Sequence, residues 1–252
     1  MYELDSSSVA VVTGASSGIG RATALDLARR GVRLVLLARR EAALGEAAAE
    51  VRAAGSAGVV EAVCDVRDEA SVEAAIGRAV ESFGRLDILI NSAGLSLNGD
   101  VDGYALDDWR TVIETNLTGT FLTCRAAVPV MKRQGGGRII NVSSGAGRSG
   151  IRQMAAYCAS KFGVIGFTEA LGLEVRADNI RVSVILPGSV ATEFSSVARR
   201  QDAPRSGEDI GYAMTPEEVA GAIVAMLEQP MQAWMSEVVL RPLNLELRRK
   251  RS

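Results

Sequence analysis

An alternation of short apolar runs with helix-like stretches constrains this chain more than any other feature. Six runs of strand length, VAVVTG, RLVLLAR, VVEAVCDV, LDILINSAG, GRIINVSS and IRVSVILPG, occur in order, and MSEVVLRP near the end reads as a seventh. Between them lie IGRATALDLARRG, EAALGEAAAEVRAAG, SVEAAIGRAVESFG, LDDWRTVIETNLTGTFLTCRAAVPVMKRQ, AAYCASKFGVIGFTEALGLEVRAD and PEEVAGAIVAMLEQ, with apolar residues at helical spacing and glycine stops such as Gly31 and Gly55. Runs apolar at almost every position need both faces buried, which implies a parallel sheet covered by helices on both sides. At 252 residues, with no linker, repeat or low-complexity segment, the expectation is one doubly wound α/β domain over residues 1–252. The long polar exception is SSVARRQDAPRSGEDIGYAM, about residues 195–214, expected to be a substrate-binding loop or lid.

Composition narrows the chemistry. The chain contains no histidine, so no Ser-His-Asp, Cys-His or His-ligated metal mechanism can be built from it. Any acid–base catalyst must be Tyr, Lys, Cys, Asp or Glu. Cys64, Cys124 and Cys158 are scattered without metal-ligand or disulfide spacing, so no metal is expected. A net charge of -2 gives no electrostatic reason to expect a nucleic-acid or anionic-membrane partner. No apolar run is long enough to span a bilayer, and MYELDSSSVA lacks the basic start and apolar core of a secretory signal; the cytoplasm is the expected compartment.

The stretch TGASSGIG sits between the first strand and the first helix, with Gly14, Gly18 and Gly20 spaced G-x-x-x-G-x-G. A dinucleotide site needs such glycines: the backbone turns tightly, admits a pyrophosphate, and begins a helix whose N-terminal N–H groups face the anion. Ser16, Ser17 and Ile19 belong to the same turn. At the end of the second strand, where an Asp or Glu would bond a ribose 2′-hydroxyl, stand Arg39 and Arg40. Two guanidiniums and no carboxylate suit a 2′-phosphate, so NADP(H) is expected over NAD.

With these motifs in order, the chain resembles the short-chain dehydrogenase/reductase family over nearly its whole length. The resemblance rests on TGASSGIG, on Asp65-Val66 after the third strand, and on NSAG at Asn91–Gly94, where Ser92 replaces a second Asn. It continues with Asn116 in ETNLTG, Ser144 thirteen residues before Tyr157, Tyr157-x-x-x-Lys161, and Pro187-Gly188 followed by Val190 and Thr192. It implies a single-domain Rossmann fold, hydride transfer between a nicotinamide cofactor and an alcohol/carbonyl pair, and a homo-oligomer, a tetramer before a dimer. It also implies that Asp65, Val66, Asn91, Ala93, Gly94, Pro187, Gly188, Val190 and Thr192 border the cofactor. Lys161 would bond the nicotinamide ribose, Ser144 the substrate oxygen, and Asn116 a water leading from Lys161 to solvent.

Tyr157 and Lys161, as i and i+4, share a helix face. Both titrate near pH 10 in water, so neither is an obvious neutral-pH catalyst alone. An ammonium beside a phenol is expected to lower the phenol's pKa toward a useful range. Tyr157 would then protonate a carbonyl oxygen in reduction and accept the proton in oxidation. Asn116 could also hold a helix kink, and both roles are compatible. The substrate side is expected to involve Leu95, Ser96, Ala146, Met154 and Phe194. Arg148 and Arg152 flank the site, with Arg152 read as solvated rather than carboxylate-binding. The reaction expected is secondary alcohol/ketone interconversion. A 3-oxoacyl carrier-protein reductase is the nearest rival, with Arg199-Arg200 and Arg148/Arg152 as weak basic-patch candidates. A non-catalytic NADP sensor or scaffold is the rival of another class. The ending MSEVVLRPLNLELRRKRS lacks the family's frequent glycine-rich strand, and Arg248–Arg251 read as a solvated charge run.

Overall fold

The computed structural model describes residues 3–192, 213–230 and 232–243. Seven strands form one parallel sheet: β1 Val9–Thr13, β2 Arg33–Ala38, β3 Val59–Val63, β4 Ile88–Asn91, β5 Gly137–Val142, β6 Ile180–Pro187 and β7 Glu237–Leu240. Their order is β3-β2-β1-β4-β5-β6-β7. The helices between them are α1 Gly18–Ala28, α2 Glu41–Ala53, α3 Glu69–Phe83, α4 Leu106–Ile113, α5 Gly119–Arg133, α6 Ala155–Glu174 and α7 Pro216–Leu227. This is the expected doubly wound α/β architecture. The order reverses between β1 and β4, and a crevice opens at that switch point beyond the strands' C-terminal ends.

The apolar runs behave as their pattern requires. Along β1, Val9 and Val11 pack with Ile76 of α3 and Met131 of α5, while Ala10 and Val12 pack with Leu27 of α1 and Ile223 of α7. All four strand residues are fully buried. Two-sided burial leaves no polar face, so the period-2 alternation of a one-sided strand is absent. Register aligns the functional ends: Thr13 pairs with Leu37 and Asn91, Asn91 with Asn141, and Val142 with Ile185. The motifs following these strands therefore open onto one edge.

Helix starts are specified locally. Asp68 caps α3 by accepting from Ala70 N and Ser71 N, and Thr215 with Glu218 forms a capping box on α7. Gly84, at φ 77°, ends α3 in the left-handed region.

Two boundaries differ from the sequence reading. The run VVEAVCDV is a strand only to Val63, because β3 is an edge strand and Val63 is exposed. The long helix expected across LDDWRTVIETNLTGTFLTCRAAVPVMKRQ is divided by a π turn at Glu114–Thr118. No helix of the described residues is long and apolar enough to cross a membrane.

Candidate active site

The site begins with the turn after β1. Thr13 Oγ1 accepts from both Ser92 N and Ala93 N, at 3.0 Å each, which pins the exit of β4 to the exit of β1. Gly14 has φ 65° and Gly18 φ 53°, conformations that favour glycine. A Cβ on Gly14 would meet the Ala93 backbone at 3.0 Å, and one on Gly20 would drive into the Gly14 carbonyl. α1, which follows, starts unlike α3 and α7: Ser17 makes no side-chain cap, and no acidic residue lies in the first turn. Its opening N–H groups and positive dipole end are thus left for an anion at the cleft.

The crevice has a volume of about 440 Å³. Gly14, Ser16, Ser17, Gly18, Ile19, Arg39, Arg40, Val66, Ala93, Gly94, Pro187, Gly188, Val190 and Thr192 line it, as do Ser144, Tyr157 and Lys161. The structure thus brings the glycine turn, the arginine pair and the Ser-Tyr-Lys set onto one cavity. Leu95 also reaches the wall.

Tyr157 and Lys161 share the inner face of α6, both buried. The Lys161 ammonium lies 5.7 Å from the Tyr157 ring centroid and donates to Val142 O at 2.8 Å. Ser143 Oγ donates to Lys161 O at 2.9 Å, tying α6 to the end of β5. Burial pushes the Tyr157 phenol up to about 12, against the opposing hydrogen bond with Ser144. Burial pushes Lys161 down to about 8. The expectation that Lys161 holds the phenol low is therefore not met by the protein alone. Desolvation of the phenolate outweighs the hydrogen bond with Ser144, and the same burial destabilises the Lys161 amine as a cation.

Several expected residues are engaged elsewhere. Asn116, fully buried in the π turn, accepts from Leu95 N at 2.8 Å and donates to Leu95 O at 2.9 Å and Ser160 Oγ at 3.0 Å. Both its amide hydrogens are used, so its side chain holds the kink. Asn91 donates to Asn141 Oδ1 at 2.9 Å and accepts from Thr123 Oγ1 at 2.7 Å, a buried tie between β4, β5 and α5 away from the cavity wall. Asp65 is not on the wall. The Arg67 fork grips its carboxylate, with Nη2 at 2.6 Å, and holds its pKa below the usual range. Gly20 also stays off the wall, supporting the turn from behind.

On the substrate side, Met154 packs with Tyr104, Leu95, Val112, Ala146 and Tyr157 in a small apolar cluster. Ser96 is buried and donates to Asn98. Arg148 pairs with Glu237 and Glu169, so it is committed to β7 and α6 rather than to the cavity. Arg152 is exposed and not on the wall. Phe194, Arg199, Arg200, Arg248–Arg251 and all of the 195–214 loop except its last two residues lie outside the described residues; Met214 is buried and bridges to Val190. Sequence reasoning missed Cys64, Thr115, Val142 and Ser143 as wall residues, and Thr13 as their support. Ser143 adjoins a motif residue, but Thr115 reaches the cavity through the π turn, which leaves no spacing signal.

The family model for short chain dehydrogenases matches residues 8–203. The D-threitol dehydrogenase of Mycolicibacterium smegmatis is 40% identical over 220 residues, covering 86% of this chain and 84% of that protein. The 3-oxoacyl-[acyl-carrier-protein] reductase of a Synechocystis species is 36% identical over 229 residues, covering 90% and 92%. Among solved structures, a single-residue variant of the actinorhodin polyketide ketoreductase with NADPH superposes with a TM-score of 0.85 at 35% identity, covering 93% of this chain and 95% of that one. The chain belongs to the short-chain dehydrogenase family. It is an oxidoreductase of the kind that acts on alcohol and ketone substrates.

Proposed function

We propose that this protein is an NADP-dependent oxidoreductase that interconverts a secondary alcohol and a ketone, with Tyr157 as the general acid in reduction and the general base in oxidation. The observation that carries this reading is the meeting of Ser144, Tyr157 and Lys161 with the uncapped start of α1 and with Arg39 and Arg40 on one cavity. The residues fit a dinucleotide: Gly14 and Gly20 permit a turn so tight that a Cβ at either would strike backbone, and the α1 N-terminus that follows has no side-chain cap and no acidic residue in its first turn. Ser16–Ile19 would hold the pyrophosphate, and Arg39 and Arg40 the 2′-phosphate. When bound, the nicotinamide supplies or accepts the hydride.

The chain's own residues move the proton. Ser144 Oγ would donate to the substrate oxygen and stabilise charge growing there. Tyr157, hydrogen-bonded with Ser144, would deliver its phenolic proton to the same oxygen. Lys161, anchored by Val142 O, would present its ammonium to the ribose hydroxyls and to the phenol. Asn116 would position rather than react, fixing Leu95 on the wall.

The apolar cluster of Met154, Tyr104, Leu95 and Val112 supports a substrate with an uncharged carbon skeleton. Similarity to the Synechocystis carrier-protein reductase favours an acyl-carrier substrate as the second reading. Pairing of Arg148 with Glu237 and Glu169 weakens it, since an acidic carrier needs free basic groups. A role limited to sensing NADP would not need a phenol, hydroxyl and amine converging on one cavity. Exposed Leu106, Trp109, Phe121 and Phe162 on α4, α5 and α6 support a homo-oligomer, a tetramer or dimer.

The test follows NADPH and NADH oxidation over a panel of neutral and acidic ketones, with Arg39→Ala beside wild type. A charge-assisted hydrogen bond contributes about 1.5–3 kcal/mol, so the variant should raise the KM for NADPH about ten- to a hundredfold and leave that for NADH nearly unchanged. A wild-type preference for NADH would overturn the 2′-phosphate assignment.

A further inference from the structure

Among the described residues other than glycine, Gln153 and Asn179 alone have positive φ, at 64° and 57°. Asparagine tolerates the left-handed region, helped by a short side chain that hydrogen-bonds locally; the longer glutamine has no such help. Gln153 stands third in a four-residue turn closed by Met154 N, which donates to Ile151 O at 3.1 Å. Positive φ at that place calls for glycine. Gln153 is exposed, so burial of its side chain does not offset the strain.

What the side chain supplies is reach across the substrate side. Its Nε2 donates to Asp100 Oδ2 at 3.2 Å, and the Gln153 carbonyl accepts from Gly99 N at 2.9 Å. Both partners lie in the segment that follows β4. That segment is packed against its own aromatic residue: a Cβ on Gly99 would meet the Tyr104 ring at 2.9 Å, and Tyr104 Oη donates to Leu97 O at 2.6 Å. Tyr104 and Met154 pack into the apolar cluster with Leu95 and Tyr157, and those two line the cavity. Gln153 thus joins the turn that opens α6 to the segment after β4, one contact away from the cavity wall.

We propose that the Gln153–Asp100 bond is a clasp that fixes the width of the substrate entrance, so that Gln153 is a positioning residue that selects against ketones with bulky substituents. This rests on the ketone reading above. Gln153 acts through Met154 and Tyr104, the apolar groups on either side of the clasp, and not on the reacting atoms. Glycine or asparagine would suit the turn better, but neither could hold Asp100: glycine has no side chain, and that of asparagine is one methylene shorter.

The test compares kcat/KM for a small methyl ketone and a bulky aryl ketone, with NADPH, in wild type, Gln153→Ala, Gln153→Asn, Asp100→Ala and the double variant Gln153→Ala/Asp100→Ala. Amide hydrogen exchange over residues 97–104 is followed in the same proteins without substrate. Each single variant should raise the bulky-to-small ratio about two- to tenfold, the range of one net hydrogen bond, through a lower KM for the bulky ketone more than through kcat. The double variant should match the single ones rather than multiply them, and exchange over 97–104 should be faster in all four. An unchanged ratio would overturn the proposal, since a merely structural role would lower Tm or kcat for both ketones alike. A shift confined to the Gln153 variants would also overturn it, by assigning the effect to the strained backbone. Failure of the wild type to reduce any ketone would instead overturn the ketone reading, and exchange over 97–104 would then decide whether the clasp exists.

Discussion

Replacing Tyr157 with phenylalanine is expected to lower kcat for ketone reduction by about 10²–10⁴-fold, the usual contribution of a positioned general acid. NADPH affinity should stay within about threefold of wild type. The ring keeps its place in the apolar cluster with Met154 and Ala146, and the lost group is one hydroxyl bonded with Ser144. A fall in kcat without a matching rise in KM separates chemistry from packing. Steady-state kinetics with NADPH and a reactive ketone give the answer; kcat within tenfold of wild type would remove Tyr157 from the mechanism.

The pH dependence follows from the same two residues. With the phenol raised to about 12, Tyr157 stays protonated as a proton donor across the neutral and mildly alkaline range. Oxidation needs the phenolate, so its rate should climb with pH while reduction does not. Lys161, lowered to about 8 by burial, loses its charge as pH rises through that value. If the ammonium grips the ribose, NADPH binding weakens between pH 7 and 9.5, and Lys161→Met abolishes that dependence. Stability of the cofactor-free protein carries the opposite sign for Lys161. Between about pH 8 and 10.5 the unfolded chain binds more protons there, so this contribution rises with pH; the Tyr157 contribution falls from about pH 10 to 12.

The second large effect is at Gly20. A Cβ there meets the carbonyl of Gly14 and the backbone of Thr13, with no flexible side chain to yield. Gly20→Ala must shift α1 or the turn, an overpacking cost of about 1–3 kcal/mol. At this chain length that corresponds to a Tm lower by about 2–12 °C. If the same turn cradles the pyrophosphate as proposed, NADPH affinity should fall at least tenfold. Gly77, inside α3, is the control: an added Cβ meets nothing within 4 Å. Gly77→Ala should leave Tm unchanged or raise it, since alanine favours the helix by up to about 1 kcal/mol. Equal Tm losses in both variants would show that crowding at the Gly14 carbonyl is not what selects glycine at position 20.

Much of this protein was legible from spacing. Apolar runs mark strands buried on both faces, because neither face can bear a polar side chain. The glycine trio marks a turn that excludes Cβ atoms, and the Tyr157–Lys161 spacing puts two groups on one helix face. Each is a local rule, settled by backbone geometry within a few residues.

What spacing could not settle depends on partners far along the chain. Arg148 is committed to Glu237, far along the chain, and to Glu169. Asn91 bonds Asn141, fifty residues away, and Thr123. The π turn that brings Thr115 to the cavity while Asn116 faces Leu95 and Ser160 has no local signature. The sequence by itself determined the sheet, the glycine turn and which residue types meet at the cavity. Only the tertiary structure decided their electrostatics and their partners. Desolvation raises the Tyr157 phenol and lowers the Lys161 amine according to how much water the whole fold removes, and no neighbour in sequence sets that quantity.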